Sequence, residues 1–221
     1  DLSVEHPDTQ IRQRTQALYD YLVPVVKGFS TECSLEVSSL GVQVHGGMGF
    51  IEETGAAQFY RDARILTIYE GTTAIQANDL VGRKTLRDGG AQARSLLAEI
   101  RSSVEQVTAA AQRAAIAEHA GLKLIAEQLS LAADAYEHAI QYLLDQAKEN
   151  IRAVYAGSVP YLMLTGYVLG GWHLARAALV CAEAQRHGID ERFAQDKFAT
   201  AVFYAGAILP RVQALSCAML Q

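Results

Sequence analysis

Residues that interrupt regular structure are scarce in this 221-residue chain: 17 Gly and 4 Pro fall below their combined average usage of about 12%. That scarcity argues against disorder, a collagen-like repeat or an all-β sandwich with its many turns. Alanine, the best helix former, is abundant, with 9 residues in 1–100 and 27 in 101–221. The expected fold class is all-α, built from helical bundles. With 50% hydrophobic residues, the chain is long enough for one large or two small cores.

Basic charge is also short. Nineteen Lys and Arg face 24 Asp and Glu, a net charge of −5, and no basic cluster is long enough to neutralise a row of phosphates, so nucleic acid is not expected as a partner. Cys33, Cys181 and Cys217 are odd in number, widely spaced and set among apolar neighbours. They form neither a disulfide framework nor a zinc knuckle and suit a reducing, cytoplasmic setting. The chain opens Asp1-Leu2-Ser3-Val4-Glu5, without Met or the basic and apolar segments of a signal peptide. The expectation is a processed start or a piece of a longer protein. Residues 153–172 lack Asp, Glu, Lys and Arg, but Pro160 divides them and leaves 12 residues before His173. That is too few to cross a bilayer, so no membrane span is expected.

What is present is helical periodicity. Pro7, Asp8 and Thr9 open a helical stretch to about Leu22 and Pro24 restarts it, which predicts one long helix kinked or broken near Pro24. Residues 41–49 hold four Gly and read as an irregular segment in which neither helix nor strand persists. A second helix is expected from Thr54 to about Ile65. A third runs from Thr72 or Thr73 to about Leu86, with Thr73-Ala74-Ile75-Gln76 in the form of a capping box. Asp88-Gly89-Gly90 ends it and marks the rise in Ala, so the chain is divided into 1–88 and 89–221. Residues 91–118, 121–149, 158–187 and 191–219 each carry apolar residues at helical spacing. They are separated by His119-Ala120-Gly121, by Gly157-Ser158-Val159-Pro160 and by His187-Gly188. Four long helices with short connections predict an antiparallel bundle.

Residues 41–76 combine a glycine turn, a charged helix and an acid just before a helix N-terminus. The glycines would let backbone N–H groups approach an anion such as a pyrophosphate. Their spacing is not a Rossmann fingerprint, and the same residues fit a helix C-cap followed by a tight turn. Glu70 lies between the apolar run Ile65-Leu66-Thr67-Ile68-Tyr69 and Gly71. A carboxylate there either complements the helix N-terminus or, in a water-poor apolar pocket, has its pKa raised from about 4.3 toward neutrality and acts as a general base. Gly71 leaves room for a ligand to approach. Arg61, Asp62 and Arg64 read as structural ion pairs, and His45 either meets a phosphate or bonds local backbone. The pairs Glu118-His119 and Glu137-His138 point about 100° apart on a helix, unlike the Glu-x-x-His ligands of di-metal bundles, so no metal site is expected. Gly166, Gly170 and Gly171 permit close helix approach, and they read with Trp172, Tyr155, Tyr161 and Tyr167 as core or interface packing.

Three linked motifs in this region resemble the C-terminal signature of the acyl-CoA dehydrogenase family. They are Gln43-Val44-His45-Gly46-Gly47-Met48-Gly49, Arg61-Asp62-Ala63-Arg64-Ile65 and Ile68-Tyr69-Glu70-Gly71-Thr72-Thr73-Ala74-Ile75-Gln76. Their order and spacing are far more specific than a glycine loop alone. The resemblance implies an FAD-dependent enzyme that α,β-desaturates an acyl-CoA thioester. In it Glu70 matches the base that takes the α-proton while the β-hydrogen leaves as hydride to N5 of FAD. Gly71 matches a residue whose N–H contacts the thioester carbonyl, and Tyr69 is placed with it on the substrate side. Gln43, Val44, His45, Gly46 and Gly47 match the segment that approaches the adenosine-pyrophosphate of FAD, in many members that of a neighbouring subunit. Thr72 matches a residue touching the flavin nucleotide. Ala74 stands where members often carry Gln or Glu, so no contact is carried over there.

The resemblance further implies a homo-oligomer with an electron-transfer flavoprotein as acceptor. Signature-level similarity covers residues 18–86. From 91 onward, Tyr161-Leu162-Met163-Leu164-Thr165-Gly166 and Gly170-Gly171-Trp172 match more loosely the extra C-terminal helical domain of larger members. The helical domain and β-domain that precede this region in the family have no counterpart in 1–40, so a C-terminal fragment is expected, inactive and colourless by itself. Two other readings stay open. One is a non-catalytic oligomerisation module that completes a partner's cofactor site. The other is a nucleic-acid-associated flavoprotein of the same family, against which the charge balance speaks.

Overall fold

The computed structural model describes residues 2–114, 116–186 and 191–219. Among these the regular elements are all helices, as the composition predicts. After the short α1 (Leu2–Glu5), α2 (Thr9–Val44) runs for 36 residues, with Asp8 accepting from the Gln10 N–H at 2.7 Å as its N-cap. Pro24 lies inside α2 without breaking it. The helix is packed on by several neighbours and buries Tyr21, Val25 and Gly28, so tertiary burial outweighs the one missing N–H. The glycine segment departs from expectation in the same way. Gly41, Val42, Gln43 and Val44 form the last turn of α2, because a helix already propagating gains a hydrogen bond for each added residue and one Gly does not stop it.

Beyond the turn, α3 (Gly47–Phe50) and a 3₁₀ turn over Glu52–Thr54 lead into α4 (Ala56–Leu66), which packs on α2. α5 (Thr73–Asp79) continues as a π-helical segment, Leu80–Leu86. Gly89 and Gly90 then reverse the chain at φ 65° and 78°, and Asp88 accepts from the N–H groups of Gly90 and Gln92. There follow α6 (Ala91–Arg113), α7 (Ile116–Glu149), α8 (Ile151–Ala156) and α9 (Ser158–Arg186). The last elements are α10 (Glu191–Phe203), a π-helical stretch Tyr204–Ile208, and α11 (Arg211–Met219). His119-Ala120-Gly121 separates nothing. It lies inside α7, where Gly121 admits α10: a Cβ there would sit 2.9 Å from Phe198 and Val202. His187-Gly188 lies outside the described residues.

α9 is the hub, touching α2, α5, α6, α7, α10 and α11. Its glycines are the contact points. A Cβ at Gly166 would fall on the Phe29 ring of α2, and one at Gly171 would lie 2.9 Å from Leu209. One hydrophobic core runs through both parts of the chain, from Tyr21, Val25, Ala77 and Leu80 to Leu129, Ile140 and Leu164. At its centre the hydroxyl of Tyr21 bonds those of Tyr136 at 2.6 Å and Tyr161 at 3.0 Å, and Tyr161 meets Thr85 at 3.3 Å. Burial pushes the phenols of Tyr21 and Tyr136 well above the usual range.

Within residues 153–172, Val154, Tyr161, Leu162 and Leu164 are fully buried. A different run, Arg192–Met219, is long and apolar enough by length and composition to cross a membrane. Its Ala194, Ala201, Ala205, Leu209 and Val212 are buried against the bundle.

Candidate active site

α4 ends at Leu66, and residues 67–72 connect it to α5. The first part of this loop is firmly bonded. Arg64 donates to the buried Thr67 hydroxyl at 2.5 Å, and the N–H groups of Ile68 and Tyr69 reach the Ile65 carbonyl at 3.0 and 3.2 Å. The chain then enters a conformation most side chains avoid. Glu70, at φ 50°, is the single non-glycine residue with positive φ among the described residues, and Gly71 follows at 94°. A left-handed L-residue costs about 1–2 kcal/mol, whereas glycine adopts that region freely. The side-chain amide of Gln76 closes over Gly71, where a Cβ would lie 2.6 Å from Nε2.

The Glu70 carboxylate is exposed and has no hydrogen-bond or ion-pair partner among the described residues. It does not cap α5. Thr72 does, its hydroxyl accepting from the Ile75 N–H at 3.4 Å. The expected capping box is not formed either, because the Thr73 hydroxyl donates to the Glu32 carboxylate of α2 and Gln76 is occupied over Gly71. The apolar residues around Glu70 form an open rim rather than a pocket: Ile65, Ile68, Tyr69 and Ile75 are each exposed by about half. The water-poor pocket is therefore not built by this chain's residues.

At the other end of α2, the irregular part of the glycine segment is confined to His45 and Gly46. The Gly46 N–H bonds the Gln43 carbonyl at 3.0 Å, and Gly46 itself takes φ 62° and ψ −145°. His45 Nδ1 lies 2.9 Å from the Gly41 carbonyl, a local backbone bond. Gln43, Val44, Gly46 and Gly47 are exposed, and a Cβ at Gly46 or Gly47 would meet nothing within 4 Å.

The site residues thus fall into two clusters. Tyr69, Glu70, Gly71 and Thr72 lie in the loop bonded to α2 near Lys27 and Glu32. Residues 43–47 lie 11 or more positions beyond Glu32, about 17 Å along the helix. Arg61, Asp62 and Arg64 bond local partners and not one another: Arg61 pairs with Glu52 at 3.2 Å and Asp62 accepts from Gln58 at 2.7 Å. His119 bonds the Ala111 carbonyl and Glu137 pairs with Arg101.

Sequence reasoning missed two residues at this site. Lys27 donates to the Leu66 carbonyl and lies 5.0 Å from the Tyr69 ring centre, and Glu32 holds Thr73. The signal was faint: Lys27 is the single Lys or Arg between Arg14 and Arg61, and Gly28 follows it.

Residues 8–85 match the family described as Acyl-CoA dehydrogenase, C-terminal domain, and residues 88–221 match Acetyl-CoA dehydrogenase C-terminal like. The chain is 50% identical over 208 residues to 3-methylmercaptopropionyl-CoA dehydrogenase of Ruegeria pomeroyi, covering 93% of this chain and 34% of that protein. It is 35% identical over 201 residues to the broad-specificity linear acyl-CoA dehydrogenase FadE5 of Mycobacterium tuberculosis, covering 86% and 31%. A shorter match, 42% over 52 residues, is to the caffeyl-CoA reductase-Etf complex subunit CarC of Acetobacterium woodii, covering 24% and 14%. The chain spans about a third of the length of the first two relatives.

Proposed function

The chain belongs to the acyl-CoA dehydrogenase family, and from that premise we propose that it is the C-terminal part of an FAD-dependent enzyme that α,β-desaturates an acyl-CoA thioester. Glu70 is its base. The observation that carries this reading is the backbone of Glu70: a left-handed, unpartnered carboxylate between an apolar rim and a glycine. Strain of this kind persists where a surrounding structure enforces it and where a side chain has to be presented.

The Glu70 carboxylate takes the proton from the α-carbon of the thioester. Apolar cover over Ile65, Ile68, Tyr69 and Ile75, from the acyl group and the rest of the enzyme, removes water from around the carboxylate and the proton it takes. The Gly71 N–H has no backbone acceptor among the described residues. Directed at the thioester oxygen, it stabilises the negative charge that develops there as the proton leaves. Tyr69 lines the same approach.

FAD, when bound, supplies the acceptor for the β-hydrogen as hydride. Thr72 would hold the flavin nucleotide and residues 43–47 the adenosine-pyrophosphate portion. The bare backbone and open space at Gly46 and Gly47 fit close approach by a diphosphate. The separation of the two clusters along α2 supports a homo-oligomer in which the glycine turn serves a neighbouring subunit's FAD. An electron-transfer flavoprotein is the proposed acceptor, in line with the Etf complex named for the Acetobacterium woodii relative, and the cytoplasm is the proposed location. Residues 1–88 form the C-terminal part of the catalytic helical domain and 89–221 an accessory four-helix domain. Alone, the chain is inactive and colourless.

In the full-length protein, Glu70→Gln keeps FAD and acyl-CoA binding and abolishes bleaching of the flavin by substrate. Bleaching at an ordinary rate would place the base elsewhere.

A further inference from the structure

We propose that Lys27 and Glu32 of α2 are positioning residues for Glu70, clamping the loop that carries it at both ends; this rests on the reading of Glu70 as the base. The Lys27 ammonium donates to the carbonyl of Leu66, the last residue of α4, which has no partner within its own helix. The same ammonium lies over the Tyr69 ring at 5.0 Å, a cation–π contact one residue before Glu70. On the far side of the loop, the Glu32 carboxylate accepts a hydrogen bond from the hydroxyl of Thr73, the first residue of α5.

Both anchors sit on one unbroken helix, five residues apart, or about 7.5 Å of rise. Residues 67–72 therefore span a fixed distance between two charged contacts and cannot slide or extend unless one lets go. Gly28, next to Lys27, lets α5 come close, with Gln76 Cβ 3.3 Å from where a Cβ on Gly28 would lie. Gln76 in turn covers Gly71. A free loop would relax the left-handed turn at Glu70; a loop pinned at both ends keeps it, and with it the direction of the carboxylate.

Hydrogen exchange on the full-length protein reads the clamp without reference to turnover. Lys27→Met keeps the stem and removes the donors, and Thr73→Val removes the hydroxyl. The first is expected to speed exchange of the Ile68 and Tyr69 amides about tenfold, the second that of Ile75 and Gln76, with the α6 to α9 core unchanged. Desaturation kcat falls about tenfold or more in each while KM and FAD content hold. Lys27→Arg, which can donate to the same carbonyl over the same ring, restores both readouts. Unchanged exchange in both variants would overturn the clamp, and faster exchange with unchanged kcat would overturn its positioning role. If Lys27→Met does not fold, Thr73→Val decides alone. A Glu70→Gln protein that still bleaches its flavin sinks the base assignment and leaves the exchange result standing, so the two failures are distinguishable.

Discussion

The buried tyrosine triad makes a prediction whose sign depends on who bonds whom. Tyr21 stands in the middle, with hydroxyl contacts at 2.6 Å to Tyr136 and 3.0 Å to Tyr161, and all three rings are essentially inaccessible to water. Removing the Tyr136 hydroxyl costs one neutral hydrogen bond, about 1 kcal/mol, because Tyr21 keeps Tyr161. Removing the Tyr21 hydroxyl costs two, about 2 kcal/mol, and leaves the buried Tyr136 hydroxyl with only the poorer contact to the Tyr161 hydroxyl, which adds about 1 kcal/mol. Tyr21→Phe is therefore expected to lose about 3 kcal/mol against about 1 for Tyr136→Phe. At about 2–4 °C per kcal/mol for a chain of this size, that means Tm drops of about 6–12 °C and 2–4 °C by calorimetry. The double variant has no underbonded Tyr136 hydroxyl, so it should be no less stable than Tyr21→Phe alone, a coupling of about 1 kcal/mol or more in a double-mutant cycle. Equal losses for the two single variants, or strict additivity in the double, would refute the reasoning.

Gly166→Ala should lower stability by about 1–3 kcal/mol, since its Cβ lands on the Phe29 ring where α9 crosses α2; an unchanged denaturation midpoint would mean the two helices part without cost. Glu70→Gly should raise stability by about 0.5–1 kcal/mol by relieving the left-handed backbone, after allowing for glycine's freedom in the unfolded chain. Glu70→Ala keeps the strain and should give no such gain, and a Glu70→Gly protein no more stable than Glu70→Ala would show that the residue is not strained.

The helical class was legible in the sequence because alanine abundance and 3.6-residue periodicity act locally, and the candidate base was legible because its motif is contiguous. Helix ends were read less well wherever packing overrode local signals. Pro24 and Gly41 look like interruptions, yet burial along α2 carries the helix through both. Gly121 looks like a separator, yet it marks the place where Phe198 and Val202 approach α7. Thr73 and Gln76 have the spacing of a capping box, yet Thr73 finds its partner in Glu32, 41 residues away, and the Gln76 amide lies over Gly71. A contact that remote leaves no periodic trace, and the bond from Lys27 to Leu66, 39 residues away, is of the same kind.

The continuity of α2 has a consequence for the proposed chemistry. Its inner face supplies Tyr21, Val25 and Gly28 to the core, Lys27 and Glu32 hold the Glu70 loop, and its last turn leads into the glycine segment. A helix advances about 1.5 Å and turns about 100° with each residue. The run from Glu32 to Val44 therefore sets both the distance and the angular phase between the base loop and the glycine turn. A break at Gly41, as the glycine count suggests, would free that phase and let the turn swing relative to the body of the protein. The helix continuing to Val44 prevents this. If the glycine turn serves a neighbouring subunit's FAD, the same rigid rod that clamps one subunit's Glu70 also dictates where the next subunit's cofactor must lie.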